Sequence, residues 1–308
     1  MVIIGDTHFD SRVGTTTTKD ILFDKMDKII EYINYNDKVV FLGDYFNPSE
    51  PANIYREYLS SILNKINVPK ILIVGNHDRD KRGSYSIAPI QEFLKKDDII
   101  VNDFYEEGDF CYIAYSLNFQ HIIDIINNTK CKYVVGHFSF DYEKNSKIMK
   151  GEIEYDSVWD NKQFILGHIH KHQAKKNVMY VGALAPTKLD ELEYDYNIVR
   201  IENDKIQLKP IKYDLKVKVV KSLKDLDGVD GNTKIIIEGN NVEETNKIIE
   251  ALKDKKVLDY KSVSKKHDID ISKLKIDEMI KEYLEQNGRI DLFNDVMKFV
   301  PKNVSGIE

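Results

Sequence analysis

Only two cysteines, Cys111 and Cys131, occur in 308 residues, so no disulfide framework can hold this chain together. Each lies beside an apolar, strand-like run, which predicts buried free thiols in a reducing compartment. No stretch approaches the roughly 20 consecutive apolar residues of a membrane span. The first residues, Met1 to Asp6, lack the basic start and long apolar core of a secretory signal. A cytoplasmic protein with no membrane partner is therefore expected. An excess of positive charge is also missing: 45 Lys and Arg against 51 Asp and Glu leave a net charge of −6. Duplex-binding proteins usually carry a basic bias, so any contact with DNA must be local. What remains is an ordinary composition, 42% hydrophobic and 31% charged, long enough for a large domain and a smaller one.

Through the first half, short β-branched runs alternate with helical periodicity. Val2 to Ile4, Val39 to Leu42, Ile71 to Val74 and Tyr133 to Val135 read as buried strands. Between the first two, Leu22, Met26, Ile29, Ile30 and Ile33 fall on one face of a helix over 20–35. A second helix over 53–66 carries Ile54, Tyr58, Ile62 and Ile66, a stripe that either faces the core or pairs two copies in a homodimer. Strand, helix, strand alternation implies right-handed parallel crossovers. After Asp109 strands dominate: Phe110 to Tyr115, Phe164 to Leu166, Val178 to Val181, Tyr196 to Ile201 and Lys205 to Ile211. The expected fold class is α/β, a two-sheet sandwich flanked by helices over 1–213. Lys216 to Val220, Thr233 to Glu238, Val242 to Leu252 and Val257 to Val263 read as strand, strand, helix, strand, a small α/β cap over 214–268. Amphipathic stretches from Ile276 to Gln286 and from Ile290 to Phe299 predict a terminal helix pair within 269–308.

Five short segments each end an apolar run: Gly5-Asp6-Thr7-His8, Gly43-Asp44, Gly75-Asn76-His77-Asp78, Gly136-His137 and Gly167-His168-Ile169-His170. Ligands of α/β sheets sit at the carboxyl ends of strands, and glycine lets the chain turn sharply there. The spacing in Asp6/His8 and in His168/His170 sends both side chains of a pair to one face. Any one segment alone is an ordinary turn; together they hold five of the eight histidines, which chance does not arrange. Imidazole and carboxylate without thiolate suit Mn, Fe or Zn rather than calcium or an iron–sulfur cluster. Asp6, His8, Asp44, Asn76, His137, His168 and His170 exceed the needs of one ion, whereas two divalent ions sharing a carboxylate use them well. Two such ions outweigh the carboxylates, leaving a positive pocket matched to a phosphodiester and its more charged transition state.

In this order the segments resemble those of the calcineurin-like metallophosphoesterase superfamily. Gly43-Asp44-Tyr45-Phe46 and Tyr180-Val181-Gly182-Ala183 are further similar to segments of SbcD-type recombination nucleases, the Mre-eleven relatives and their shorter phage counterparts. The resemblance implies one ion held by Asp6, His8, Asp44 and His170 and another by Asp44, Asn76, His137 and His168, with Asp44 bridging. His77 would face the scissile phosphate as a catalytic residue. The resemblance also implies a Mn-dependent DNA exonuclease and endonuclease of repair or recombination, working by a two-metal mechanism. It implies a homodimer and an SbcC-type ATPase partner, whose coiled coil the terminal helices would grip. The alternative is a stand-alone phosphatase or phosphodiesterase acting on small phosphoesters or nucleotides. One departure is Phe9-Asp10-Ser11-Arg12, where relatives commonly continue with Leu-Gly.

Arg79, Lys81 and Arg82 follow the third segment, as substrate-binding phosphate contacts or as a solvated loop. The acidic stretches Asp141 to Asp160 and Asp190 to Asp195 are expected to repel DNA. Tyr45, Phe46 and Phe138 border ligands, and core packing is expected of them before base stacking. Asp78 either orients His77 or starts a turn. His172 is expected in a loop, His121 in a structural role and His267 in a solvated linker.

Overall fold

A computed structural model describes residues 1–13, 16–47, 51–79, 85–141, 152–213, 216–229, 233–238, 242–253 and 259–262, with Lys255, Val257 and Leu292. Lys81, Arg82, His267, residues 142–151 of the acidic stretch and, Leu292 excepted, both terminal helices lie outside the described residues.

Two six-stranded sheets form the main body. In the first, the order is Lys205–Ile211, Tyr196–Glu202, Val2–Ile4, Val39–Phe41, Lys70–Ile73 and Ile99–Val101. Its last four strands run parallel, with Ile3 opposite Val40 and Val40 opposite Ile71. In the second, the order is Gln173–Lys175, Val178–Tyr180, Gln163–Leu166, Tyr133–Gly136, Phe110–Ile113 and Phe104–Glu107, parallel in the middle four and antiparallel at both edges.

Side-chain alternation along the second sheet shows how it is covered. Tyr112, Tyr133, Val135 and Ile165 join the same apolar cluster as Ile3, Val40 and Leu72 of the first sheet. Their neighbours Cys111, Ile113, Val134, Phe164 and Leu166 point the other way, onto Ile122 and Ile126 of the helix Phe119–Asn128 and onto Trp159. The period of two thus divides one strand between a sheet–sheet core and a sheet–helix core. Cys111 and Cys131 are buried free thiols, as expected.

The helix Thr18–Asn34 begins earlier than its apolar stripe. Thr17 and Asp20 form a capping box, and Leu22, Met26, Ile29, Ile30 and Ile33 are buried as the spacing predicts. The helix Asn53–Lys65 departs from the expected stripe. Its core face is Leu59, Ile62 and Leu63, continued by Ile66, the spacing of three and four that a helix buries. Tyr58 lies edge-on to Phe9 at 5.2 Å, and Ile54 is left 55% exposed. Ile54, Tyr58 and Ile62 are divided between core and solvent and do not form one pairing face.

Three parallel strands, Lys216–Val220, Thr233–Ile237 and Asp259–Ser262, and the helix Val242–Lys253 have a separate core of Val220, Leu226, Ile235, Ile237, Ile248 and Leu252. Strand, strand, helix, strand is the predicted order.

A buried ion pair fixes one edge of the first sheet. Lys70 Nζ lies 3.0 Å from Asp98 Oδ2, with both side chains essentially inaccessible. Asp98 also accepts the backbone N–H groups of Lys70 and Lys95. Removing one partner strands a buried charge, so Asp98→Ala should cost about 3–5 kcal/mol. Urea unfolding of the variant measures this; a loss below about 1 kcal/mol, the scale of an exposed pair, would show that water reaches Lys70.

Candidate metal centre

All five segments end strands, three from the first sheet and two from the second, so the carboxyl edges of the two sheets meet at one place. The turns are tight. His8, Asp44 and His168 adopt φ of 38°, 50° and 75°, left-handed values that cost a non-glycine residue on the order of 1–3 kcal/mol. The glycines are there for close approach. A Cβ on Gly75 would lie 2.1 Å from Asp44 Oδ1, and one on Gly167 would lie 2.6 Å from Asp6 Oδ1.

The seven expected ligands come together. His8 Nε2 and His170 Nε2 approach to 3.1 Å, with Asp44 Oδ2 3.6 Å from the former and Asp6 Oδ2 3.9 Å from the latter. On the other side, Asn76 Oδ1 is 2.9 Å from both His137 Nε2 and His168 Nδ1, and Asp44 Oδ2 is 3.3 Å from His137 Nε2. Asp44 therefore touches both groups. His137 Nδ1 donates to the Leu42 carbonyl at 2.7 Å, which fixes the tautomer that leaves Nε2 with a lone pair. His8 Nδ1 is buried without a partner. Asp6, His8 and His170 form one group with ligand atoms within 4.8 Å of one another, and Asp6, Asp44 and His137 form another. Nitrogen lone pairs and carboxylate oxygens converging in two adjacent groups fit a pair of divalent cations.

The family model for the calcineurin-like phosphoesterases matches residues 1–201. The chain belongs to the calcineurin-like phosphoesterase family. Its members are dinuclear, metal-dependent hydrolases of phosphoesters, and the two groups of donors fit that chemistry. No curated protein matches the chain in sequence. Among solved structures, a novel archaeal phosphodiesterase is 14% identical, covering 68% of this chain and 98% of its own, at a TM-score of 0.38. A protein of unknown function from Aquifex aeolicus is 18% identical, covering 53% of this chain and 92% of its own, at a TM-score of 0.29. Likenesses this distant say nothing about the activity of the phosphoesterase.

Electrostatics in the phosphoesterase favour cation binding. Burial depresses His8 to about 3 and, with the charge of His137, His168 to about 4, so both rings are neutral near pH 7. Burial pushes Asp6 up to about 6, against the pull of His137. In His137 burial is overcome by Asp44 and Asp6, which raise it to about 10. Burial opposes charge on Asp44 as well, yet His137 and His8 hold its carboxyl below the usual range. A proton on His137 and a divalent cation thus compete for the same two carboxylates.

His77 touches the site from a different direction. Its backbone N–H donates to Asp44 Oδ1 at 2.9 Å, while Nδ1 donates to the Asn47 carbonyl at 2.6 Å. Asp78 does not orient His77. Fully buried, it accepts from the backbone N–H groups of Asp44, Tyr45 and Gly75 at 2.7, 3.0 and 2.9 Å, tying two ligand turns together. Arg79 donates to the Asn102 carbonyl and lies 5.5 Å over the Tyr85 ring, holding the two ends of its loop. Tyr45, Phe46 and Phe138 are fully buried, in the packing role expected of them. His172 meets the Val181 carbonyl and is no ligand; His121 forms an exposed pair with Asp103 at 2.7 Å.

Two carboxylates outside the five segments reach the centre. Glu152 Oε1 lies 3.5 Å from His168 Nε2, and Glu191 Oε1 lies 2.8 Å from His170 Nδ1. Both belong to stretches expected to repel DNA. The fold turns these two inward, and no spacing in the sequence distinguishes them from their acidic neighbours.

Proposed function

We propose that this phosphoesterase is a Mn-dependent DNA nuclease, cutting phosphodiesters as exonuclease and endonuclease in repair or recombination. Two ions, when bound, supply Lewis acidity and stabilise charge on the transferring phosphoryl group. Asp6, His8, Asp44 and His170 would hold one ion, and Asp44, Asn76, His137 and His168 the other. Asn47 fixes the His77 ring with the proton on Nδ1, leaving Nε2 for the substrate phosphate or the leaving oxygen.

The observation that carries the nuclease reading is the α/β unit beyond the family match, with its own core of Val220, Ile235, Ile237, Ile248 and Leu252. Hydrolysis of a small phosphoester needs no such addition. In the proposal, residues 1–213 are the nuclease domain, 214–268 the cap and 269–308 the partner-binding segment. The partner is an SbcC-type coiled-coil ATPase, the nuclease a homodimer, and the site of action the cytoplasm. No described helix is long and apolar enough to cross a membrane.

The net charge of −6 and the turned-in Arg79 favour the second reading, a phosphodiesterase of small esters or nucleotides. One assay separates the two. Plasmid and labelled oligonucleotides incubated with the protein and Mn should be degraded, and chelation should stop it. Turnover of bis-p-nitrophenyl phosphate with intact DNA throughout would establish the small-ester reading instead.

A further inference from the structure

We propose that Glu191 is a positioning residue of the metal centre, fixing His170 in the tautomer that presents Nε2 to the ion. The inference rests on the assignment of His170 as a ligand.

Glu191 stands in a run of acids, Asp190, Glu191, Glu193 and Asp195, of which it alone is buried, at 4% exposure. A buried carboxylate costs several kcal/mol unless donors compensate it. Here they do so on both oxygens. Oε2 accepts the Thr187 backbone N–H and the Thr187 hydroxyl, each at 2.8 Å. Oε1 faces His170 Nδ1 at 2.8 Å, with the Thr187 hydroxyl 3.1 Å from the same nitrogen. Thr187 is itself buried, and the Tyr196 hydroxyl donates to the Glu191 backbone carbonyl, so the main chain of Glu191 is held as well as its carboxylate.

An ionised carboxylate has no proton to give. His170 must therefore donate through Nδ1, and Nε2 keeps its lone pair. Nε2 is the atom that approaches His8 Nε2 and Asp6. Carboxylates behind ligating histidines commonly fix the ring and raise its basicity in this way.

An amide at this position is worse than a neutral spectator. Gln at 191 has one acceptor and one donor end. Thr187 offers two donors, which attract the amide oxygen. The NH2 group then faces His170 Nδ1 and requires a lone pair there. The ring proton moves to Nε2, the atom that has to bind the cation.

The test uses the full chain, stripped with chelator and titrated with Mn by calorimetry. Wild type should bind two ions. Glu191→Gln should weaken one of them about 10–100-fold and leave the other unchanged. Nitrogen chemical shifts of the His170 ring in the stripped protein, read at a pH alkaline enough that the ring is neutral, should show the proton on Nδ1 in wild type and on Nε2 in Glu191→Gln. Glu191→Asp, which keeps two acceptors, should recover part of the affinity. Thr187→Val retains the carboxylate, loses one of its clamps together with the hydroxyl beside His170 Nδ1, and should weaken the same ion by a smaller factor, which covers the case of a poorly folded Gln variant. Wild-type affinity at both ions in Glu191→Gln, or in Thr187→Val where only that variant folds, overturns the proposal. His170→Ala separates this from failure of the ligand assignment: it should lose one ion outright, and retention of both would overturn the assignment itself.

Discussion

Asp44→Asn should abolish hydrolysis, to below about 10⁻³ of wild type, and should lower the affinity for both metal ions rather than one. The Asp44 carboxylate stands between His8 and His137, with Oδ2 3.6 Å from His8 Nε2 and 3.3 Å from His137 Nε2. Asparagine is the informative replacement because Asp44 sits at φ 50°, which asparagine tolerates and alanine does not. It preserves the turn and removes the charge. Calorimetric titration with Mn alongside activity checks the expectation. If one ion still binds at wild-type affinity, Asp44 serves a single site and the bridging role is wrong.

The expected ligands were legible in the sequence because each is the first polar residue after a buried apolar run or, for His8 and His170, stands two positions beyond it. Val2–Ile4, Val39–Phe41 and Gln163–Leu166 have to be strands, and a strand buried on both faces can offer function only at its end. Less was legible where tertiary contact decides. Ile99–Val101 is only three residues long and Phe104–Glu107 is mixed in polarity, and each forms because an open sheet edge accepts it. The helix Phe119–Asn128 was hidden in a region of strand-like apolar residues, its face of Ile122 and Ile126 being only one turn long. Glu191 and Glu152 were hidden for a different reason. Acidic residues default to solvent, and only the position of His170 and His168 in space draws these two inward. Asp78 shows the same limit: its neighbours in sequence indicate the site, but not that its carboxylate would serve the backbone of Asp44 instead of the ring of His77.

His77→Ser should retain both ions while kcat falls by about 10²–10⁴. The retention follows from the geometry. His77 holds the centre through its backbone, whose N–H donates to Asp44 Oδ1, and that bond survives any side-chain replacement short of proline. The ring makes separate contacts, Nδ1 to the Asn47 carbonyl and an edge-on approach to the His8 ring at 5.2 Å, and serine removes both without removing a ligand. Two roles for the free Nε2 then differ in what they predict for different substrates. If His77 protonates the leaving oxygen, the loss should be large for a nucleoside ester and small for a p-nitrophenyl ester, whose leaving group needs no proton. If it stabilises charge on the phosphoryl oxygens, both esters should suffer alike. Comparing kcat for the two in wild type and His77→Ser decides between proton transfer and charge stabilisation. Loss of a metal ion from His77→Ser would place the ring among the ligands and remove both roles.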